Sequence, residues 1–174
     1  MNQLQCLPII IGSEAFRLKK PVSQNTHRWR VYVKSQGDFD LSPFFKSVNF
    51  RLHESFQNPS RNVTSSPFEI SETGWGEFVI QIRLNFKASS IKPIFTSHQL
   101  RLHPLQDIEQ PFDVPVISET FDEIVFFEGE RELESYKEFS HERQFIAENI
   151  EVTEEIKKLD TVIKWFEEQN RALQ

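Results

Sequence analysis

The chain has 174 residues, of which 38% are hydrophobic and 26% charged, a composition typical of one folded domain with an extension and not of a disordered protein. Its single cysteine, Cys6, excludes an intrachain disulfide and predicts a reducing compartment. No apolar run is long enough to span a bilayer, so we expect no membrane association.

The net charge of −6 is unevenly distributed along the chain. Residues 1–118 hold 13 basic and 10 acidic residues, whereas residues 119–174 hold 7 basic and 16 acidic residues. A mildly basic first part is a weak indication of nucleic-acid binding, and the acidic second part would repel DNA. The charge pattern therefore predicts weak or no direct DNA binding and favours a basic protein partner.

Alternating apolar residues predict strands over most of the first part. Two short alternations are Trp29-x-Val31-x-Val33 and Val48-x-Phe50-x-Leu52. The strongest runs from Phe78 to Phe86, with five apolar residues at every second position and polar residues between them. Turn residues such as Asn58-Pro59 and Ser65-Ser66-Pro67 separate these segments. Many short strands with such turns indicate a mainly β protein, a β-sandwich.

Three prolines interrupt residues 104–118, namely Pro104, Pro111 and Pro115. Because prolines at this spacing exclude a continuous helix, we interpret the segment as an extended connector. The pattern changes near Gly129, which predicts a sandwich domain over residues 1–128 and a separate helical segment over residues 129–174.

The second segment has a seven-residue repeat and contains no Pro or Gly after Gly129. One seam is formed by Phe145, Val152, Leu159, Phe166 and Leu173, and the other by Asn149, Ile156, Ile163 and Asn170. This register predicts an acidic coiled coil, with a single amphipathic helix packed on the sandwich as the alternative. Since Glu155 would face Asp160 of an identical parallel copy, the charges favour a basic helix from another subunit, or an antiparallel dimer.

The candidate site lies in residues 52–78, which have an aromatic residue near each end. Phe56 follows His53-Glu54-Ser55, and Trp75 is flanked by Gly74 and Gly76. Glycines on both sides allow a sharp backbone turn that presents the indole, so two facing rings would form a slot for a flat group. The alternative is that both rings pack in the core.

The direction of the side chains at the first end depends on the backbone. In a regular strand His53 and Ser55 would share one face and Phe56 would lie on the other. Asn58-Pro59 follows directly and predicts a bend there.

These motifs resemble the acyl-lysine pocket of the YEATS domain family. The similarity covers about the first 128 residues and rests on several motifs in order: Thr26-His27-x-Trp29, Leu52-His53-Glu54-Ser55-Phe56-x-Asn58-Pro59-x-Arg61 and Gly74-Trp75-Gly76-Glu77-Phe78. The run Val116-Ile117-Ser118-Glu119-x-Phe121-Asp122-Glu123, before an acidic helix, resembles the glioma-amplified subclass.

The resemblance implies an immunoglobulin-like β-sandwich and a non-enzymatic function. The expected ligand is acetylated or crotonylated lysine on a histone tail, most of all that of histone three. The expected location is the nucleus, in a histone acetyltransferase or chromatin-remodelling complex joined through the C-terminal helix. An assembly subunit with little acyl-lysine binding of its own is the alternative.

The resemblance also implies the roles of the pocket residues. Phe56 and Trp75 would sandwich the acyl amide, and the backbone N–H of Trp75 would bind its carbonyl oxygen. The Ser55 hydroxyl would accept the lysine amide N–H, while His53 would orient this edge or contact the peptide.

Three further residues would complete the channel. Gly74 and Gly76 would shape it and Phe78 would close its side. Asn25 departs from the family pattern, because many relatives have an aromatic or imidazole ring directly before the Thr-His-x-Trp motif. The acyl preference is therefore open.

Catalytic and metal functions are the remaining alternatives. A hydrolase would use Ser55 as nucleophile and His53 as base, oriented by Glu54 or Glu72, but the chain has no Gly-x-Ser-x-Gly elbow. The five histidines show no ligand spacing and one cysteine offers no thiolate pair, so we predict no metal and no cofactor.

Overall fold

The computed structural model describes residues 5–37, 39–104 and 110–126, and these ranges are built from strands, turns and loops. The strands are β1 (Gln5–Val22), β2 (Asn25–Ser35), β3 (Phe45–Arg51), β4 (Ser60–Val63), β5 (Phe68–Gly74), β6 (Val79–Phe86), β7 (Ile94–Gln99) and β8 (Val116–Phe126). They form two antiparallel sheets of four strands, in the orders β5-β2-β1-β8 and β4-β3-β6-β7. Within these ranges no helix could cross a membrane.

The three strands predicted from alternation are confirmed. In β2 the side chains of Trp29, Val31 and Val33 are buried, and β3 and β6 bury every second residue in the same way. Two boundaries differ, because Leu52 follows the end of β3 and Phe78 precedes β6, half-buried in the loop before it. Strand β6 therefore begins one residue after the first apolar position of the predicted run.

The two sheets pack their inner faces together, which confirms the predicted mainly β architecture. The rings of Phe45 and Phe68 lie 5.9 Å apart between centroids and join the second sheet to the first. A buried polar contact does the same, since His98 Nε2 lies 2.9 Å from Ser13 Oγ. Burial lowers the pKa of His98, so its ring stays neutral at this contact.

The interpretation of residues 104–118 as a connector is wrong at its C-terminal end. Val116 begins β8, which pairs with β1 from Ala15 back to Gln5. Strand β1 is central, so the edge that β2 leaves unpaired needs a partner for its N–H and C=O groups, and β8 supplies it. Glu119, Asp122 and Glu123 consequently belong to the sandwich, and the acidic segment begins later than the sequence count suggests.

The predicted coiled coil over residues 129–174 and the domain boundary at residue 129 lie outside the described residues. Both stay predictions.

Candidate functional site

The loop between β3 and β4 carries the first half of the site. The backbone N–H of Leu52 donates to the carbonyl of Pro59 across 2.7 Å and closes the loop. Inside it, the N–H of Phe56 donates to the carbonyl of His53 across 3.1 Å, which forms a tight turn. The predicted bend is confirmed, so His53, Ser55 and Phe56 are not constrained to opposite faces of a strand.

His53 and Ser55 form a local hydrogen-bonded pair. The backbone N–H of Ser55 donates to His53 Nδ1 across 3.3 Å, and Ser55 Oγ lies 2.9 Å from the same nitrogen. An Nδ1 that accepts from the backbone is unprotonated, so the hydroxyl directs its only hydrogen at it. The lone pairs of Ser55 Oγ then remain available for a donor on a ligand.

This pair differs from the arrangement of a hydrolase. A catalytic base is held by a third group on its other nitrogen. Among the described residues no carboxylate bonds to His53, and Glu72 pairs with Arg61 across 2.5 Å. The pair is a turn contact between residues two apart in the chain.

Three rings pack together below this turn. The ring of Phe56 lies 6.0 Å from that of Trp29 and 5.6 Å from that of Phe78, and Trp29 and Phe78 are 6.0 Å apart. Trp29 is only 2% exposed, while Phe56 and Phe78 are half-buried. His53 lies 6.2 Å from Phe78. The half-buried ring of Phe56 thus packs on Trp29 and Phe78 and exposes its remaining surface to solvent.

Gly74 and Gly76 differ in what surrounds them. Neither has a positive φ, and within the described residues Gly37 is the glycine that does. A Cβ at Gly74 would lie 3.2 Å from Trp29 Nε1, whereas a Cβ at Gly76 would meet nothing within 4 Å. The chain bends at Trp75, between the two glycines, without a left-handed residue, and Gly74 in addition provides room for the buried indole of Trp29.

Trp75 projects from the loop between β5 and β6. Its side chain is 66% exposed, which rules out the alternative that it packs in the core. No ring contact joins Trp75 to Phe56 in the part of the chain that the structure describes. Beside this loop, Asn25 Nδ2 donates to Thr73 Oγ1 across 2.8 Å.

Glu77 fastens the same loop to the segment after β7. One carboxylate oxygen accepts from the backbone N–H groups of Leu102 and His103 at 2.7 and 3.1 Å, and the other pairs with Arg101 at 3.1 Å. Partial burial raises the pKa of Glu77, but these donors outweigh it, and the pKa lies below its usual range. The side of the Trp75 loop that leads into β6 is thereby fixed.

Two further contacts support the site from neighbouring strands. Arg61 in β4 pairs with Glu72 in β5 and donates to the carbonyl of Asn58, which ties the first loop to the second. His27 stacks edge-on with His103 at 5.0 Å between ring centroids. Burial, and then the neighbouring His103, lowers the pKa of His27.

The structure therefore joins some of the predicted residues and leaves others separate. It links His53, Ser55, Phe56 and Phe78 through direct contacts, and links Gly74 to them through Trp29. Trp75 and Gly76 extend from the cluster. The described ranges contain no group of side chains that could hold a metal ion.

Sequence reasoning missed Trp29 and Glu77 as parts of the site. Both belong to the sequence motifs, and the buried ring of Trp29 packs edge-on against Phe56 and Phe78. No sequence pattern shows that Glu77 reaches the backbone of Leu102.

Known proteins share the fold of this chain. A family model described as the YEATS family matches residues 24–104. The structure of the Yaf9 YEATS domain bound to H3K27ac superposes with a TM-score of 0.67 at 35% identity, covering 78% of this chain and 94% of that one. The chain belongs to the YEATS family. A second structure, of the Yaf9 YEATS domain recognizing an H3K122suc peptide, gives a TM-score of 0.66 at 36% identity with the same coverage.

Curated relatives of this chain include a plant protein and several fungal ones. Transcription initiation factor TFIID subunit 14b of Arabidopsis thaliana is 43% identical over 124 residues, which are 69% of this chain and 46% of the relative. Protein AF-9 homolog of Saccharomyces cerevisiae is 37% identical over 145 residues, covering 72% of this chain and 64% of the relative. The YEATS chain spans about half the length of the curated relatives that it matches.

Proposed function

We propose that this YEATS chain is a non-enzymatic chromatin reader that binds acylated lysine on the tail of histone three. The observation that carries the proposal is that the aromatic and polar side chains of the site are accessible to a ligand. The indole of Trp75 on one loop and the half-buried ring of Phe56 on the other are both accessible to a ligand, and the Ser55 hydroxyl directs its hydrogen at His53. The Yaf9 structures, in which related domains bind H3K27ac and H3K122suc peptides, support the choice of ligand.

The chemistry of an acylated lysine fits these groups. Its side chain ends in a flat neutral amide with one donor and one acceptor. Phe56 and Trp75 stack on the two faces of the amide, which contributes about 0.5–1.5 kcal/mol beyond area burial. Ser55 Oγ accepts the amide N–H and the backbone N–H of Trp75 donates to the acyl oxygen. Matching both matters, because an unpaired buried amide costs about 1–3 kcal/mol.

The remaining residues shape the channel. Gly74 has no side chain and so leaves room for Trp29, and Gly76 leaves open space next to the indole of Trp75. Phe78 packs against the ring of Phe56. His53 holds the Ser55 hydroxyl in its accepting orientation.

Unmodified lysine is rejected on charge. Its ammonium would lose water on entering the slot and would need a counter-charge. The two carboxylates that flank the Trp75 loop are already engaged, Glu72 by Arg61 and Glu77 by Arg101 and two backbone N–H groups. Acylation removes the charge and with it this cost.

The test is a titration of the full chain with H3K27ac peptide and with the same peptide unmodified. We expect clear preference for the acetylated peptide, and a loss of about tenfold or more in affinity for Trp75→Ala. Phe95→Ala is the matched control, because Phe95 is 74% exposed on β7, away from both loops of the site. Equal binding of both peptides, or an unaltered affinity of Trp75→Ala, would show that the chain is not a reader.

The C-terminal segment supplies the second half of the proposal. Residues 129–174 form an acidic coiled coil that joins the reader to other subunits of a nuclear histone acetyltransferase or chromatin-remodelling complex. The heptad register and the excess of acidic residues support a basic partner helix or an antiparallel dimer. Removing these residues should abolish co-purification with the complex and leave the affinity for acetylated peptide intact. If the truncated chain still co-purifies, the sandwich itself makes the subunit contact.

A further inference from the structure

Charge is segregated between the two sheets. The strands of the first sheet contain six basic and six acidic residues. Those of the second sheet contain four basic residues and no acidic residue at all: Lys46, Arg51, Arg61 and Arg83. Among the strand residues, the first sheet is therefore neutral and the second carries the basic excess. An averaged net charge conceals such a surface.

The outer face of the second sheet has a regular layout. In the strand register Arg83 lies between Asn49 and Phe95, and Gln81 lies between Arg51 and Ser97. Each row thus combines a guanidinium with an amide, and the first row ends in an aromatic ring. The rows line an open groove of about 730 Å³.

Phe95 is the feature that packing does not explain. Its ring is 74% exposed, and the guanidinium carbon of Arg83 lies 5.4 Å from the ring centroid. The neighbouring positions of β7 alternate normally, with His98 buried on the inner face. A phenyl group held in water beside a cation is a surface on which a flat base can stack.

The cations of this face differ in how far they are engaged. Arg61 pairs with Glu72 of the other sheet. In contrast, neither Arg51 nor Arg83 forms an ion pair with any residue of the described ranges. Two guanidiniums about one row apart are thus left to meet anions from outside.

We propose that the outer face of the second sheet binds single-stranded RNA. Arg51 and Arg83 contact successive phosphates, and Phe95 stacks on a base. The amide of Gln81, and the amide hydrogen that Asn49 does not give to Ser60, bond to base edges or 2′-hydroxyls. A DNA duplex fits less well, because its major groove admits a helix or a two-stranded ribbon and not the flat face of a four-stranded sheet. An acidic peptide would use the arginines and leave the ring and the amides without a role.

The site is next to the proposed acyl-lysine pocket and independent of it. Arg51 is the last residue of β3, and the loop that contains His53 and Ser55 begins directly after it. The two sites share no side chain. Failure of one proposal therefore leaves the other standing.

The experiment is fluorescence anisotropy of a labelled oligouridylate of about 12 nucleotides with the full chain, at several salt concentrations. We expect the logarithm of the affinity to fall against the logarithm of the salt concentration with a slope of about −1.4, or 0.7 for each of two phosphates. Arg83→Ala should halve this slope. Phe95→Ala should weaken binding about fivefold or more at an unaltered slope.

Two matched comparisons make the result specific. Gln81→Glu places a carboxylate on the face without altering side-chain size, and Gln36→Glu makes the same change at an exposed turn beside the first sheet. Only the first should reduce RNA binding. Phe95→Ala should retain acetyl-peptide binding, and Trp75→Ala should retain RNA binding.

Three results would overturn the proposal. They are no binding of the oligouridylate, equal binding by Phe95→Ala, and equal or better binding of a DNA strand or duplex of the same length. If Phe95→Ala binds equally and polyglutamate competes, the face binds an acidic peptide instead.

Discussion

The clearest test of the site's construction compares one added methyl group at two glycines. Gly74→Ala places a Cβ 3.2 Å from Trp29 Nε1, and Trp29 cannot retreat easily because it is 2% exposed and packs on Phe56 and Phe78. Such overpacking costs about 1–3 kcal/mol. Gly76→Ala adds the same methyl group where nothing lies within 4 Å.

Both variants lose the same conformational freedom in the unfolded chain, which stabilises the folded state by about 0.4–1 kcal/mol. That contribution cancels when the variants are compared, so the difference between them isolates the steric clash. We expect Gly76→Ala to be as stable as the natural protein or slightly more stable, and Gly74→Ala to be less stable than Gly76→Ala by about 1–3 kcal/mol.

The assay is urea unfolding followed by tryptophan fluorescence, with equal slopes required of both variants so that midpoints report stability. Two equally stable variants would show that Gly74 does not make room for Trp29. If Gly76→Ala loses more stability, the glycines are present for a backbone turn and the steric reasoning fails.

Three other perturbations test separate contacts. Gly12→Ala puts a Cβ 2.8 Å from the Tyr32 ring and should destabilise the fold by about 1–3 kcal/mol in the same assay, with no loss if the ring swings aside. Glu77→Gln should lose about 1–2 kcal/mol. Because the folded pKa of Glu77 is depressed, this loss should be complete above pH 4.5 and vanish as the pH falls through the folded value; a loss that persists in acid would contradict the role of its charge. Asn25→Phe replaces a polar wall with a ring, so the ratio of crotonyl- to acetyl-peptide affinity should rise about twofold or more in titrations, and an unaltered ratio would place Asn25 outside the pocket.

The sequence predicts those strands of the fold that bury one face in the core and expose the other. β2, β3 and β6 are central in their sheets, and each buries alternate residues, which is the pattern that a period-two reading detects. β8 lies at an edge, where Ile117, Phe121 and Val125 are exposed, so its apolar residues do not mark the buried face. The connector interpretation, which rests on the spacing of Pro104, Pro111 and Pro115, therefore includes the first residues of this strand.

The candidate site was predictable as a set of residues and much less so as a structure. The motifs identify Ser55, Phe56 and Trp75, and the bend at Asn58-Pro59 follows from local backbone preferences. The partners of these residues depend on strand register. Glu77 meets Leu102 because β6 and β7 pair between them, and Gly74 meets Trp29 because β2 and β5 pair in antiparallel register. Such contacts need the folded chain.

Aromatic residues show most directly why pattern and function separate at a surface. The chain has 17 phenylalanines, and Phe44, Phe45, Phe50 and Phe68 fill the core. Phe95 occupies an equally regular strand position, yet its side of β7 faces solvent, and Trp75 is exposed because its loop leaves the sheet. The free energy of burial favours the same side chains that binding uses, so composition cannot tell a core ring from one presented to a ligand. What decides between them is whether another layer covers that face, and in the described ranges neither Trp75 nor Phe95 is covered.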